Sequence, residues 1–276
     1  MESNEQNILN VKDLNVQVRD KKGFSTLVQD VNFGMKKGEI LGLVGESGCG
    51  KTVTSMSILQ LHNKKNLDIR GSITLQGREL NGLENKEMRR IRGKEIAFIM
   101  QNPMNAFTPV FTIGHQFVET IKSHTSLNNK HARELAINMM ESINLQNPQK
   151  LLKNYPFELS GGMLQRVMIA MATCLQPSVI IADEPTTAID LHSQALVLRL
   201  LDKVRSEYGT SILLISHDLG VISEMADNVI VMNHGKIVES ANVFDIFDNP
   251  SHEYTKKLLK NRPTLYTEKQ PYTYTL

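Results

Sequence analysis

Three things are scarce in this 276-residue chain, and each scarcity closes a class of function. Cysteine occurs twice, at Cys49 and Cys174, with neither the spacing of a disulfide framework nor that of a metal site, so a reducing compartment is the natural setting. Charge of one sign is scarce too. The 31 basic and 29 acidic residues leave a formal net charge of +2, which gives nucleic acid no bulk electrostatic foothold. No stretch reaches about 18 apolar residues, so no membrane-spanning helix is expected, although the chain can sit against a membrane. The stretch from Asn4 to Lys12 lacks the basic lead and apolar core of a secretion signal. What remains, 41% apolar and 22% charged residues, is a globular composition, long enough for one large core or for a core domain with a smaller one attached.

The stretch with the sharpest chemistry is GESGCGKT, running through Gly45, Glu46, Ser47, Gly48, Cys49, Gly50, Lys51 and Thr52. It follows the apolar run Ile40 to Val44 and precedes a helix-compatible segment beginning with Val53, the context in which G-x-x-x-x-G-K-[ST] has meaning. Glycines let successive backbone N–H groups converge on phosphate oxygens. Lys51 would then place an ammonium on the β/γ-phosphates, Thr52 would offer a hydroxyl to Mg²⁺, and the helix would aim its positive end at the nucleotide. The bland alternative is a glycine-rich turn with an exposed lysine.

Along the chain, alternation over residues 8 to 18 and Leu27 to Met35 predicts two early strands joined by the Asp20 to Gly23 turn. Ile40 to Val44 is a buried strand, Val53 to Leu61 a helix, and Gly71 to Gly77 another strand. The basic run Lys86 to Lys94 reads as a solvated helix face or a connection. Ile96 to Met100 is a buried strand that ends at Gln101, before Pro103. From about His115 to Leu145 the pattern is helical, and a helical subdomain with its own small core is expected there. LSGGMLQR, Leu159 to Arg166, opens a helix to about Leu175 with Ser160 as N-cap. Val179 to Ala182, Ser211 to Ile215 and Val229 to Met232 are apolar strands, with a helix at Leu191 to Tyr208. Strands apolar on both faces and separated by helices imply a mainly parallel α/β core with its site at the carboxyl ends.

Those ends carry polar residues. Asp183 suits a Mg²⁺ ligand working with Thr52, and Glu184, one residue on, suits the group that orients or deprotonates the attacking water. Gln101 can touch the metal-bound and the lytic water; a structural role is the competing reading. His217 can align the γ-phosphate, its other ring nitrogen fixed by a neighbour such as Asp218. Ser160, Gly161 and Gly162 form either a helix cap or a second phosphate-binding surface. One nucleotide cannot easily use both glycine motifs of one chain, whereas a head-to-tail pair can place ATP between Gly45–Thr52 of one subunit and Ser160–Gly162 of the other.

Taken in order, GESGCGKT, Gln101, LSGGMLQR, VIIADEP, the Ala188-Ile189-Asp190 turn and His217 resemble the nucleotide-binding subunit of an ABC transporter along nearly the whole chain. The resemblance implies an α/β fold: a P-loop NTPase core with a mixed, mainly parallel sheet, an N-terminal antiparallel β-subdomain and an inserted helical signature subdomain. It implies an ATPase domain over 1–250, the insertion at about 102–175, and a C-terminal extension over 251–276. It also implies ATP and Mg²⁺ as cofactors, two transmembrane permease subunits, a homologous ATPase subunit (a heterodimer, although a homodimer also satisfies the motifs), an indirect extracellular solute-binding protein, no nucleic acid, and a peripheral place on the cytoplasmic face of the membrane.

Within the family, QNPMNAFTP (101–109), YPFELSGGMLQR (155–166) and NPSHEYTKKLLKNRP (249–263) resemble the oligopeptide, dipeptide and nickel importer branch. Met163-Leu164 is similar to nickel-importer subunits, so a transition-metal or metal–chelate cargo is expected before peptides. Relatives with longer tails carry a cysteine cluster; none is present here and no iron–sulfur site is expected. The position matching the family's adenine-stacking aromatic is Val18, with Phe24 as its replacement. The surface for the permease is expected at Gln101 to Val110 and Tyr155 to Glu158. The competing classes are a soluble ABC ATPase of nucleic-acid repair or translation, and an ATP-dependent switch without efficient hydrolysis; intact Glu184 and His217 argue against the second.

Overall fold

The computed structural model describes residues 7–20, 23–62, 67–187 and 189–260. Strands β1 (Leu9–Asp20) and β2 (Gly23–Met35) pair antiparallel, and β3 (Ile40–Val44) delivers the glycine-rich loop to α1 (Lys51–Ile58). β4 (Leu67–Leu75), the two-residue β5 (Arg78–Glu79), α2 (Asn85–Ile91) and β6 (Ile96–Ile99) follow. The helical stretch holds α3 (Ile113–His124), α4 (Asn129–Ser142), a short α5 (Pro148–Leu151) and α6 (Gly161–Thr173). Next come β7 (Val179–Asp183), α7 (Leu191–Tyr208), β8 (Ser211–Ile215), α8 (Leu219–Met225) and β9 (Asn228–Asn233). β10 (Lys236–Asn242), α9 (Val243–Asp248) and α10 (Glu253–Lys260) complete the described chain.

Two sheets result. One is antiparallel, in the order β2-β1-β4-β5; the other has the order β10-β9-β3-β8-β7-β6 and is parallel from β9 to β6, with β10 antiparallel at its edge. The central strands β3, β7 and β8 are buried at every position because both faces are covered. Ile40, Val44, Ile180, Ala182, Ile212 and Leu214 join the cluster formed with the helices. Leu41, Leu43, Val179, Ile181, Leu213 and Ile215 point the other way, into the cluster formed with Leu9, Val11, Leu14 and Val16 of the antiparallel sheet. A period of two thus splits each strand between two cores.

The helical insertion departs from the expectation of a separate small core. Phe117, Ile121, Ala136 and Met140 share one continuous apolar cluster with the sheet face. The physical reason is α6, which packs against both β6 and α4 and bridges the two regions. The strand expected at Gly71 to Gly77 begins earlier, at Leu67, and α1 begins at Lys51 rather than Val53. Helices start where their caps are. The Ser160 hydroxyl accepts the Met163 N–H, and the Asp190 carboxylate accepts the Ser193 N–H, which opens α7; Gly209 ends α7 in the left-handed conformation.

Gly42 explains how α8, which no periodicity announced, settles on β3. A Cβ at Gly42 would lie 3.0 Å from Ile222 Cγ2 and 3.2 Å from Ala226 Cβ. Gly42→Val is therefore expected to destabilise the fold by about 1–3 kcal/mol through overpacking. Urea unfolding checks this, and a midpoint equal to that of the parent would contradict the close approach.

Candidate functional site

Register puts four chain segments at one sheet edge. Leu43 and Asp183 both pair with Ile215, and Ile99 pairs with Ala182, so β3, β6, β7 and β8 end together. The residues that follow them are Gly45, Met100-Gln101, Glu184 and Ser216-His217.

The glycine-rich loop is shaped by crowding from outside. Gly45 has φ 153, and a Cβ there would come within 2.2 Å of the Met232 carbonyl oxygen. Gly50 caps α1 with φ 110 in the left-handed region, where a side chain is strained. Gly235 N–H donates to the Cys49 carbonyl, and Glu46 N–H donates to the Tyr254 hydroxyl at 3.0 Å. Lys51 is only 6% exposed, and its Nζ donates to the carbonyls of Gly45 (2.7 Å) and Glu46 (3.1 Å) and reaches Cys49 Sγ at 3.8 Å. The lysine expected as a mobile ammonium is thus held by the loop it serves. Ser47 and Gly48 are exposed, Thr52 is exposed, and Val53 is half-buried.

Asp183 lies beside this loop. Burial pushes its carboxyl above the ordinary range; the hydrogen-bonded Thr52 hydroxyl draws it back, the Glu184 charge raises it and the Lys51 charge lowers it. Thr52, Lys51, Asp183 and Glu184 therefore sense one another directly.

Glu184 is the meeting point. One oxygen, Oε2, accepts from Gln101 Nε2 at 2.6 Å and from Thr187 Oγ1 at 3.0 Å; the other, Oε1, lies 3.0 Å from His217 Nδ1. The last contact needs the proton on Nδ1, since a carboxylate only accepts. The backbone of Glu184 is left-handed at φ 48 and is held there by its N–H bond to the Ile215 carbonyl. The partner expected for His217 was Asp218. Instead the Asp218 carboxylate accepts the Gly220 N–H and caps α8, so it faces its own helix and leaves the ring to Glu184.

Ser160, Gly161 and Gly162 sit at the start of α6, and among the described residues no hydrogen bond joins them to the glycine-rich loop. The two glycines differ. A Cβ at Gly162 would meet Ser193 Oγ at 2.5 Å, whereas one at Gly161 meets nothing within 4 Å. Val18 is half-buried on β1 opposite Ser25 and Leu67, and Phe24 is 64% exposed; Leu27 and Val28, not Phe24, are the β2 residues against Gly50 and Gly235. Ile189 is half-buried and Asp190 caps α7, while Ala188 lies outside the described residues, as does the tail beyond Lys260. Both cysteines are free and buried, and burial pushes the Cys174 thiol up to about 12, which suits an inert packing residue. Thr187 and Tyr254 were not singled out as site residues by sequence. Thr187 was findable as a hydroxyl three residues after Glu184; the Tyr254 contact spans 208 positions and has no local signal.

A family model described as ABC transporter matches residues 28–187. A probable peptide ABC transporter ATP-binding protein of Sinorhizobium fredii is 44% identical over 93% of this chain and 77% of its own length. The oligopeptide transport ATP-binding proteins AppD and OppD of Bacillus subtilis are 44% and 42% identical over 94% of this chain, and over 79% and 72% of their own lengths. Among solved structures, the ATP-binding cassette MJ0796, dimeric in a post-hydrolysis state with ADP and phosphate, superposes with a TM-score of 0.76 at 24% identity, over 85% of this chain and 98% of that one. CbiO1 of Clostridium perfringens gives 0.74 at 24% identity, over 89% and 92%. The last two establish the cassette fold; with the family match and the relatives above 40% identity, they make this chain a member of the ABC transporter family, an ATP-binding subunit that hydrolyses ATP.

Proposed function

We propose that the chain is the energy-coupling ATPase of a membrane importer, peripheral on the cytoplasmic face and paired with a second ATP-binding subunit beneath two permease subunits. The observation that carries this reading is the Glu184 carboxylate, bonded to Gln101 and His217 beside Asp183, Thr52 and Lys51. The backbone N–H groups along Gly45 to Val53, apart from the Glu46 N–H that Tyr254 already holds, and the start of α1 hold the triphosphate. Lys51 exchanges the carbonyls of Gly45 and Glu46 for phosphate oxygens. Asp183 and Thr52 fit Mg²⁺: they offer hard oxygen ligands, and the raised Asp183 carboxyl signals a buried charge short of compensation. Among the described residues no group of three or more His, Cys, Asp or Glu could hold a metal, so nucleotide and water would complete the shell. Bound there, Mg²⁺ would supply neutralisation of the phosphate charge. Glu184 orients water and takes its proton, while the exposed Gln101 and His217 side chains position the reactants. Adenine lies at the β1–β2 edge, against Val18 or the exposed Phe24 ring.

Gly161 supports the pairing. Gly162 must be small because Ser193 is behind it; among the described residues nothing requires Gly161 to be small, as a phosphate from the neighbouring subunit would. Exposed apolar residues support the permease contact: Met104, Val110, Phe111, Tyr155 and Phe157 lie on two segments joined by the bond from Ile113 N–H to the Asn154 carbonyl. No helix among the described residues is long and apolar enough to cross a membrane, consistent with separate membrane subunits.

For cargo, relatives at 42–44% identity carry names of peptide transport, which favours peptides delivered by an external binding protein. The metal–chelate expectation rests on Met163-Leu164, and Leu164 is fully buried, which explains it as a packing position.

Three experiments test this. Glu184→Gln is expected to bind ATP as the parent does while turnover falls about 10²–10⁴-fold; equal loss of both would remove Glu184 from its role. Gly161→Asp is compatible with a helix N-terminus and should leave the unfolding midpoint unchanged, yet turnover at the shared site should fall by roughly 10²-fold. Undiminished phosphate release would end the paired-site reading. In lipid with the permease subunits and binding protein, peptides are expected to stimulate ATPase activity; stimulation by free or chelated Ni²⁺, Co²⁺ or Zn²⁺ alone would reinstate the metal cargo.

A further inference from the structure

The glycine-rich loop is gripped from outside by the last described helix. Tyr254, the second residue of α10, places its hydroxyl 3.0 Å from the Glu46 N–H, and the amide donates to it. The helix is itself anchored. The Glu239 carboxylate of β10 accepts the N–H groups of Ser251 (2.6 Å) and His252 (3.1 Å), just before α10 begins. Tyr254, Leu258 and Leu259 pack on the main apolar cluster. Burial raises the Tyr254 phenol above its ordinary range, so at neutral pH the hydroxyl stays protonated and neutral beside the loop.

Glu46 is thus fixed at both ends of its backbone: its N–H by Tyr254 and its carbonyl by Lys51. These two ties differ in what happens when a triphosphate enters. The Lys51 ammonium is the group that has to turn an N–H donor toward phosphate. The Tyr254 hydroxyl takes up the Glu46 N–H and leaves phosphate to the other amides of the loop. From this asymmetry we infer that Tyr254 is a positioning residue for the nucleotide, holding the first limb of the phosphate loop in its binding shape so that less ordering is required when ATP binds. The inference rests on reading Gly45 to Thr52 as the nucleotide loop, and goes beyond it by making α10, 208 positions away from Glu46, a determinant of ATP affinity.

Tyr254→Phe removes the hydroxyl and keeps the ring that packs on the core. Loss of one net hydrogen bond predicts that the ATP dissociation constant and KM rise about 3- to 10-fold. The turnover number at saturating ATP should stay within about twofold, because Glu184, Gln101 and His217 are untouched. Amide exchange at Glu46 should quicken in the nucleotide-free variant, and the unfolding midpoint should hold. Unchanged or tighter ATP binding, unchanged exchange at Glu46, or a fall in turnover number without a rise in KM would each overturn the inference. Lys51→Ala separates this from the underlying reading. If that variant bound ATP like the parent, the phosphate-loop assignment itself would fail; if it lost binding while Tyr254→Phe did not, only the tether would.

Discussion

A carboxylate has two oxygens, and in this molecule the pair on Glu184 ties together three separate stretches of chain. Gln101 arrives from the end of β6, His217 from the end of β8, and Thr187 from the turn after β7. Each hydrogen bond to a charged acceptor contributes about 1.5–3 kcal/mol, enough together to outweigh the roughly 1–3 kcal/mol that a left-handed glutamate costs. The backbone bond to Ile215 then aims the side chain. The convergence depends on the sheet. Were β7 and β8 out of register by one residue, Asp183 would no longer face Ile215 and every side chain of the strand would change face. The two cores that sandwich these strands therefore fix the reaction centre as well as the fold.

The phosphate loop is the second constraint, and it is built mostly from sequence that follows it at long range. Met232 at the end of β9 leaves no room for a side chain at Gly45; Gly235 bonds to Cys49; Tyr254 bonds to Glu46. Within the loop, the buried Lys51 ammonium replaces solvent by drawing on two carbonyls.

Most of the fold was legible because its signals are local. The runs Ile40 to Val44, Val179 to Ala182 and Ile212 to Ile215 are unbroken apolar segments of strand length, and α7 is bracketed by Asp190 and Gly209, a cap at each end. The site positions were legible for a related reason: they are the polar residues that terminate apolar strands. What was not legible is what those residues touch. Asp218 is the nearest carboxylate to His217 in sequence, yet Glu184 is its partner in space, because Asp218 serves as a helix cap. The seven-residue α8 is too short for a helical period to stand out, and β10 with α9 alternates weakly at a sheet edge. The cores failed the sequence reading in the same way: α6 merges helices and sheet into one cluster, and no spacing shows that.

The two glycines that open α6 separate what one chain needs from what an assembly needs. Gly162 is explained internally, because Ser193, the residue bonded to the Asp190 cap of α7, occupies the space a side chain would take. Thus α6 and α7 sit close through a glycine, and the turn after Glu184 is connected mechanically to the start of α6. Gly161 faces open space and carries no such requirement. Under the proposed pairing, this helix N-terminus, capped by the Ser160 hydroxyl, would receive a phosphate held by the neighbouring subunit's loop. The same connection through Gly162 means that an anion settling over Gly161 would press on a helix whose neighbour begins four residues beyond Pro185-Thr186-Thr187, the segment that bonds to Glu184. Closure by a second subunit and readiness of the glutamate are in this way properties of one packed unit.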